Sequence, residues 1–153
     1  MGLDLSLVGS ATEPFVVEVT KADIRRFAEA LGDTNPLYHD EEFARRQGYA
    51  GLVAPPTFSV SFRPPVRQSW MRGLDDGRIL AGEQSFKFER PVIAGDVLTC
   101  RLHFLGVEEK EGKSGRMQFI NQEMRALDPQ RKLVVTNVRM TIYRAARVST
   151  EAK

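Results

Sequence analysis

The second half of the chain most constrains the fold. Four stretches there, residues 79–89, 97–108, 116–127 and 132–144, read as strands with only short polar segments between them. In the first, Phe86 and Phe88 alternate with Lys87 and Glu89, the period-two pattern of a half-buried strand. The intervening segments, marked by Ala94-Gly95-Asp96, residues 109–115 and Asp128-Pro129-Gln130, are too short for crossover helices. Successive strands are therefore predicted to be antiparallel neighbours. On the last strand Val134, Val138, Met140 and Ile142 share a face, with Thr136 among them.

The first half carries helix signals instead. Residues 1–13 read as a loose lead-in, and Phe15, Val16, Val17 and Val19 as a short strand at a sheet edge. Thr20 is an N-cap with Asp23 three residues on, in the style of a capping box. Ile24, Phe27, Ala28 and Leu31 then mark one apolar helical face, and Gly32 is a left-handed stop. Asp40 caps a second short helix over 41–47, whose acidic start and basic end suit the helix dipole. Pro55-Pro56-Thr57 opens a third, apolar helix with Phe58 and Phe62 one turn apart, broken by Pro64-Pro65. Residues 145–153 read as a flexible tail. Helices followed by an antiparallel meander predict one α+β domain, a sheet covering an apolar helix.

Composition narrows the function. A chain of 153 residues suits a single domain, and 42% hydrophobic with 27% charged residues is ordinary for a soluble one. A net charge of +2 and no aromatic-interleaved basic stripe argue against nucleic acid. One cysteine and two separated histidines offer no metal spacing, and the lone Cys100 fits a reducing cytoplasm. No signal peptide or membrane-length apolar run is read. Cys100 falls on the apolar Leu98/Leu102 face, as a buried thiol would, and His103 reads as a surface residue. Ser/His/Asp, P-loop and dinucleotide patterns are absent; Gly112-Lys113-Ser114-Gly115 reads as a hairpin tip.

The densest set of reactive side chains lies between the first two helices, from Gly32 to Asp40. Asp33 is a candidate general base or water-orienting group; two residues before Asn35 it is more commonly a turn former with it. His39 is a candidate acid/base, since histidine titrates near neutrality, or an exposed loop residue. Asn35 presents an amide either to a substrate carbonyl or to its own turn. Six residues across a proline turn allow Asp33 and His39 to converge.

These residues resemble a known family. Ala30-Leu31-Gly32-Asp33-Thr34-Asn35-Pro36-Leu37-Tyr38-His39-Asp40, then Gly48-Tyr49 and Ala54-Pro55-Pro56-Thr57-Phe58, resemble the MaoC-like dehydratases, specifically their N-terminal-domain branch, the FAS1-type or HadA-like group. Phe88-Glu89-Arg90-Pro91-Val92-Ile93-Ala94-Gly95-Asp96-Val97-Leu98 is similar to the family's strand-turn-strand segment. The resemblance implies a hot dog fold, an antiparallel sheet wrapped around a central apolar helix, in a homodimer or a heterodimer with another MaoC-like subunit. It implies addition or removal of water across the 2,3 bond of an acyl thioester of coenzyme A or acyl carrier protein, with no cofactor, metal, nucleic acid or membrane.

Carried over residue by residue, the family's Gly-Asp-x-Asn-Pro-x-His motif puts its Asp on Asp33 and its Asn on Asn35, while its His falls on Tyr38 and His39 stands one place late. The family's oxyanion donor, a glycine N–H, falls on Pro56, which leaves Thr57 or Phe58 to supply one. Thioester hydration needs an acid/base pair and a donor for the enolate oxygen, and a tyrosine with an ordinary pKa near 10 is a poor base at neutral pH. The resemblance thus implies Asp33 and His39 as catalytic candidates and Asn35, Tyr38, Thr57, Phe58 and Phe62 as substrate-binding candidates. The first reading is a dehydratase/hydratase subunit working with a MaoC-like chain that carries the intact dyad. The alternatives are a self-sufficient homodimeric (R)-specific enoyl-CoA hydratase using Asp33 and His39, and a non-catalytic acyl-thioester binding protein.

Overall fold

In the computed structural model, residues 2–112 and 115–144 are described. The expected tail at 145–153, and Lys113 and Ser114 of the expected hairpin tip, lie outside them. Five strands form one antiparallel sheet: β1 (Phe15–Glu18), β2 (Ile79–Phe88), β3 (Val97–Gly112), β4 (Gly115–Leu127) and β5 (Leu133–Arg144). Their order across the sheet is β1-β3-β4-β5-β2. β1 is an edge strand, as its sequence predicts, and β3, β4 and β5 form the expected meander.

β2 departs from the expectation. It pairs with β5, not with β3, and forms the other edge of the sheet. The reason lies in the segment between β2 and β3. Arg90 reaches both carboxylate oxygens of Asp96, at 2.8 and 2.9 Å, and Asp96 also accepts the Ile93 N–H. The backbone there pairs with residues 52–54: Ala54 N–H donates to Val92 and Ala94 N–H to Leu52. Those bonds hold the connection as a strap that carries the chain from one edge region of the sheet to the other, where a hairpin would have kept it beside β2. The apolar 49–54 stretch, aperiodic in sequence, is buried from Gly51 to Ala54 because it backs this strap.

Helix α1 (Lys21–Leu31) starts and stops as expected. Thr20 Oγ1 accepts from the Asp23 N–H, and Gly32 closes the helix at φ 68°. Ile24 and Ala28 are buried and Phe27 is half-buried, but Leu31, expected on the same face, is exposed. Helix α2 (Glu41–Arg46) is capped by Asp40, which accepts from the Phe43 N–H. The lead-in is not loose. Gly9 and Thr12 N–H groups donate to Phe104 and Leu102, Phe104 N–H returns to Ser10, and Ala11 bridges His103. These bonds cover the β3 edge beyond the short β1.

The apolar segment expected as a long central helix is one 3-10 turn, Phe58–Ser61, followed by a second at Ser69–Met71. Thr57 gives the first turn no side-chain cap, and Pro64-Pro65 blocks continuation. Asn137 Nδ2 also donates to the Ser59 carbonyl, at 3.4 Å, from the sheet below. The segment still does the packing expected of it. Phe58 and Phe62 meet edge to face, and Phe58 meets Phe27 the same way. The inner sheet face beneath is Leu102 and Phe104 of β3, Ile120, Met124 and Ala126 of β4 and Val135 of β5, all fully buried. Each of these side chains except Ala126 contributes roughly 2 kcal/mol. On β5 the inner row is Val135, Asn137, Arg139, Thr141 and Tyr143, by register with buried β4 positions. Of the apolar row read from the sequence, Val138, Met140 and Ile142 lie on the other face and are half-buried, whereas Val134 is fully buried.

Candidate active site

The loop after α1 folds from its own side chains. Asp33 Oδ1 accepts the Asn35 N–H at 3.0 Å, and Asn35 Oδ1 accepts the Leu37 N–H at 3.0 Å. Asn35 thereby caps a 3-10 turn, Pro36–Tyr38, with Pro36 preset for its first position. His39 follows as the turn's last residue, and its Nε2 lies 2.8 Å from the Asp33 carbonyl oxygen. A carbonyl only accepts, so Nε2 carries the proton and Nδ1 is the unprotonated nitrogen of the neutral ring. Val53 N–H donates to the Leu37 carbonyl, which ties the loop to the buried strap.

Asp33, Asn35, Tyr38 and His39 are thus brought together. Asp33 and Asn35 are exposed, His39 is half-buried and Tyr38 is buried in the core. Burial raises the Tyr38 pKa, the Asp33 charge raises it further, and a hydrogen bond with Asn35 partly offsets both. The phenol stays protonated at neutral pH. Tyr38 therefore presents a neutral phenol one place before His39.

Thr57, Phe58 and Phe62 form a second group. Phe58 N–H is consumed by the Pro55 carbonyl at 2.9 Å, whereas Thr57 N–H has no acceptor among the described residues. Thr57 is exposed at the mouth of the turn, and Phe58 and Phe62 are core residues whose outer edges border a hollow of about 450 Å³ shared with Val17 and Phe27. The packing of Phe27 on Phe58 links this group to α1, whose last turn leads into the loop.

Cys100 is fully buried, and burial pushes its thiol up to about 12, which makes it inert as a nucleophile. His103 is half-buried on the outer face of β3, where burial and then Arg125 and Arg101 lower its pKa against the pull of Glu123. Among the described residues no group of three or more His, Cys, Asp or Glu side chains is placed to hold a metal, and no helix is long and apolar enough to cross a membrane. The sequence reasoning missed the polar residues of the inner sheet face. Gln122 and Asn137 are buried and Arg139 is half-buried, and Trp70 Nε1 donates to Gln122 Oε1 at 3.2 Å. Their strand-period position was the one signal for it.

A sheet laid over a short apolar turn, with a Gly-Asp-x-Asn-Pro loop at its flank, defines a hot dog domain of the dehydratase and hydratase class. The chain belongs to the MaoC-like family: residues 6–137 match the FAS1-like, dehydratase domain region. A Streptomyces avermitilis protein named only UPF0336 is 38% identical over 153 residues, spanning 95% of this chain and 98% of that one. A Thermobifida fusca protein of the same name is 34% identical over 149 residues, 94% and 95% of the two chains. Among solved structures, the Mycobacterium tuberculosis HadBC complex, a 3R-hydroxyacyl-ACP dehydratase, is 28% identical with a TM-score of 0.76 over 89% of this chain and 96% of that one. A MaoC-like dehydratase superposes with a TM-score of 0.81 at 23% identity over 92% of this chain and 43% of the other, and so shares the fold.

Proposed function

We propose that this chain is a subunit of a cytoplasmic acyl-thioester dehydratase or enoyl hydratase that works with a second MaoC-like chain carrying an intact Asp/His dyad. The observation that carries the reading is the Asp33–His39 loop. Its carboxylate and its imidazole N–H both bond the loop's own backbone, and Tyr38, buried and protonated, stands at the motif's histidine position.

Dehydration of a 3-hydroxyacyl thioester removes a proton from C2 to a base. An acid then protonates the departing C3 hydroxyl, and a donor steadies the enolate oxygen in between. In this reading the partner supplies the base and acid. This chain supplies a wall: Thr57 N–H faces the thioester, Asn35 and Tyr38 bound the loop side, and Phe58 and Phe62 line the acyl portion. Coenzyme A or acyl carrier protein enters as the thiol half of the substrate, and no cofactor is required. The HadBC and ChsH1–ChsH2 structures are complexes of similar chains. The outer edge of β2, exposed along most of its length and unpaired among the described residues, is the surface where a second sheet adds in this reading.

One observation favours a second reading. His39 Nδ1 has no partner among the described residues and the ring is only half-buried, so a homodimer using Asp33 and His39 has a base available. The purified chain, assayed for hydration of crotonyl-coenzyme A alone and after addition of a MaoC-like partner, separates the two. Activity only with the partner supports the subunit. Activity alone, lost in His39→Ala and Asp33→Asn, supports the homodimer. Acyl-thioester binding without turnover in either arm leaves the non-catalytic binding protein.

A further inference from the structure

The outer face of the sheet carries a basic hollow that the proposed chemistry does not use. Two cross-strand pairs, Thr99 with Leu127 and Arg101 with Arg125, form its floor, and His103 extends it. These side chains share one face, because Thr99, Arg101 and His103 alternate with the buried Cys100 and Leu102. Pro14 of the lead-in and Asp128, Pro129 and Arg131 of the β4–β5 turn form the walls. The hollow holds about 500 Å³, in the range of small-molecule sites. Leu102 and Phe104 face the other way, into the core that holds Tyr38 and Phe58. The sheet therefore stands between the hollow and the Asp33–His39 loop.

Like charges directly opposite each other on neighbouring strands repel. Arg101 and Arg125 are such a pair. Each is anchored through one nitrogen: Arg101 Nε donates to the Thr12 carbonyl at 3.0 Å, and Arg125 Nε to Glu123 Oε1 at 2.6 Å. Their terminal Nη groups have no partner among the described residues, and both side chains are exposed. Each guanidinium thus offers an end-on fork of N–H groups, the geometry that holds phosphate and carboxylate oxygens. Directly opposed side chains start about 5 Å apart, so two forks can close on one anion. Arg131 adds a third cation at the rim, in a left-handed conformation of φ 63° that asparagine or glycine adopts more readily. Two carboxylates stand nearby, and both are engaged. Asp128 Oδ1 accepts the Lys132 N–H and closes the turn, and Glu123 holds Arg125. The surplus is one positive charge, and two when His103 takes a proton.

We propose that this hollow binds a small phosphorylated ligand, its phosphate held between the Arg101 and Arg125 forks with Arg131 at the rim, and its organic body against Pro14, Leu127 and Pro129. A phosphate dianion engages both forks and matches the charge surplus with His103 protonated, whereas a carboxylate fills one fork. The apolar walls select an organic phosphate over the bare ion. The site does not rest on the acyl-thioester reading, since it lies across the sheet from that loop. His103 is its reporter. Burial first, then Arg125 and Arg101, hold its pKa below the ordinary 6.5, and Glu123 works the other way. The turn adds Asp128 and Arg131, and the lead-in adds the Thr12 carbonyl. A bound phosphate offsets the arginines and favours the imidazolium, so binding raises the His103 midpoint. Affinity is then greatest below the free midpoint and falls as pH rises through the bound one.

The full-length chain is titrated by calorimetry with ADP, n-hexyl phosphate, adenosine and inorganic phosphate. In parallel the C2–H proton resonances of its two histidines are followed with pH, and His103→Gln identifies the His103 signal. Saturable binding of ADP or hexyl phosphate is expected, with adenosine and inorganic phosphate weaker by about tenfold or more, the worth of a charge-assisted bond. The His103 midpoint is expected to rise at saturation. Arg101→Gln is expected to weaken binding by about tenfold. Arg131→Asn removes a cation while keeping a residue that tolerates the left-handed turn. It is expected to melt with the wild type and to bind severalfold more weakly. Failure of both organic phosphates to bind overturns the proposal, as does inorganic phosphate binding as tightly as they do, which leaves a bare charge patch. Unchanged affinity in both arginine variants, or an unmoved His103 midpoint, overturns it as well. Binding of polyglutamate in place of the organic phosphates overturns it in favour of an acidic protein partner. Acetyl-coenzyme A binding that displaces ADP and weakens with Arg131→Asn overturns a separate ligand in favour of the substrate thiol itself.

Discussion

His39 Nε2 lies 2.8 Å from the carbonyl oxygen of Asp33, so the imidazole folds back on the residue that the family motif would make its catalytic partner. The bond is to the backbone of Asp33 and not to its carboxylate, whose Oδ1 is taken by the Asn35 N–H. His39→Ala is therefore expected to cost stability, by about 1 kcal/mol for one lost hydrogen bond. It is expected to change the turnover of the chain with the proposed MaoC-like partner by less than about tenfold, well short of the loss on removing an acid/base group. Urea melts and crotonyl-coenzyme A hydration are the two readouts. A far larger loss of turnover would move His39 from loop structure to chemistry.

Tyr38 titrates on the alkaline side. Its folded pKa lies above the ordinary 10.0 through burial and the Asp33 charge. Between the unfolded and folded values the unfolded chain has released the proton and the folded one has not. The stability Tyr38 contributes is thus complete below about pH 10 and lost as pH rises through the folded value. Phenolate absorbance near 295 nm, with Tyr38→Phe subtracted, is expected to show its midpoint above that of a free tyrosine. A midpoint at or below the free value would remove Tyr38 as a neutral wall residue and readmit it as a base.

The strap between β2 and β3 depends on Asp96, which takes two bonds from Arg90 and one from the Ile93 N–H. Asp96→Ala is expected to cost about 2 kcal/mol in chemical denaturation. The Arg90–Asp96 coupling alone, from a double-mutant cycle with Arg90→Met, is expected to be smaller, about 1 kcal/mol, because the Arg90 side chain is 37% exposed and solvent screens it. A coupling near zero would assign the whole effect to the Ile93 amide.

Gly82 sits in the β2 bulge, and a Cβ there would stand 2.5 Å from Met140 Sδ and 2.9 Å from the Met140 carbonyl. The thioether can swing aside; the backbone carbonyl cannot. Gly82→Ala is expected to destabilise the chain by about 1–3 kcal/mol, the range for an overpacked site. Hydrogen exchange should quicken first in β2. An unchanged melting midpoint would show that β2 has room to move off β5.

Cys100 is expected to resist thiol reagents in the folded chain at pH 8, with its thiol buried and pushed up to about 12. It should react at once in urea. Rapid labelling of the native chain would mean that the β1–β3 edge opens, since Phe15 of β1 pairs with Cys100.

Local features were readable in the chain because local bonds decide them. Thr20 and Gly32 bound α1 through contacts within a few residues, and Asp33, Asn35 and Pro36 shape their loop within a span of seven. The strands of the meander were legible for the same reason, since each hairpin joins neighbours in sequence. The Gly-Asp-x-Asn-Pro frame, together with the 54–58 and 88–98 segments, was enough to name the family. Partners far apart in the chain were not legible. β2 joins β5 across roughly half a hundred residues of intervening chain, because the Asp96 strap carries the path away from β2 before β3 begins. The apolar 58–62 segment has helical spacing, yet its uncapped start and the two prolines leave it one turn long. Which face of β5 looks inward is set by register with β4, and that register turns Arg139 toward the core and Met140 away from it. The sequence alone determined the local bends and the kind of chemistry to look for. Tertiary pairing decided which side chains meet, and so turned Arg139 inward on β5 while the Asp33 and His39 side chains stayed bonded to their own loop.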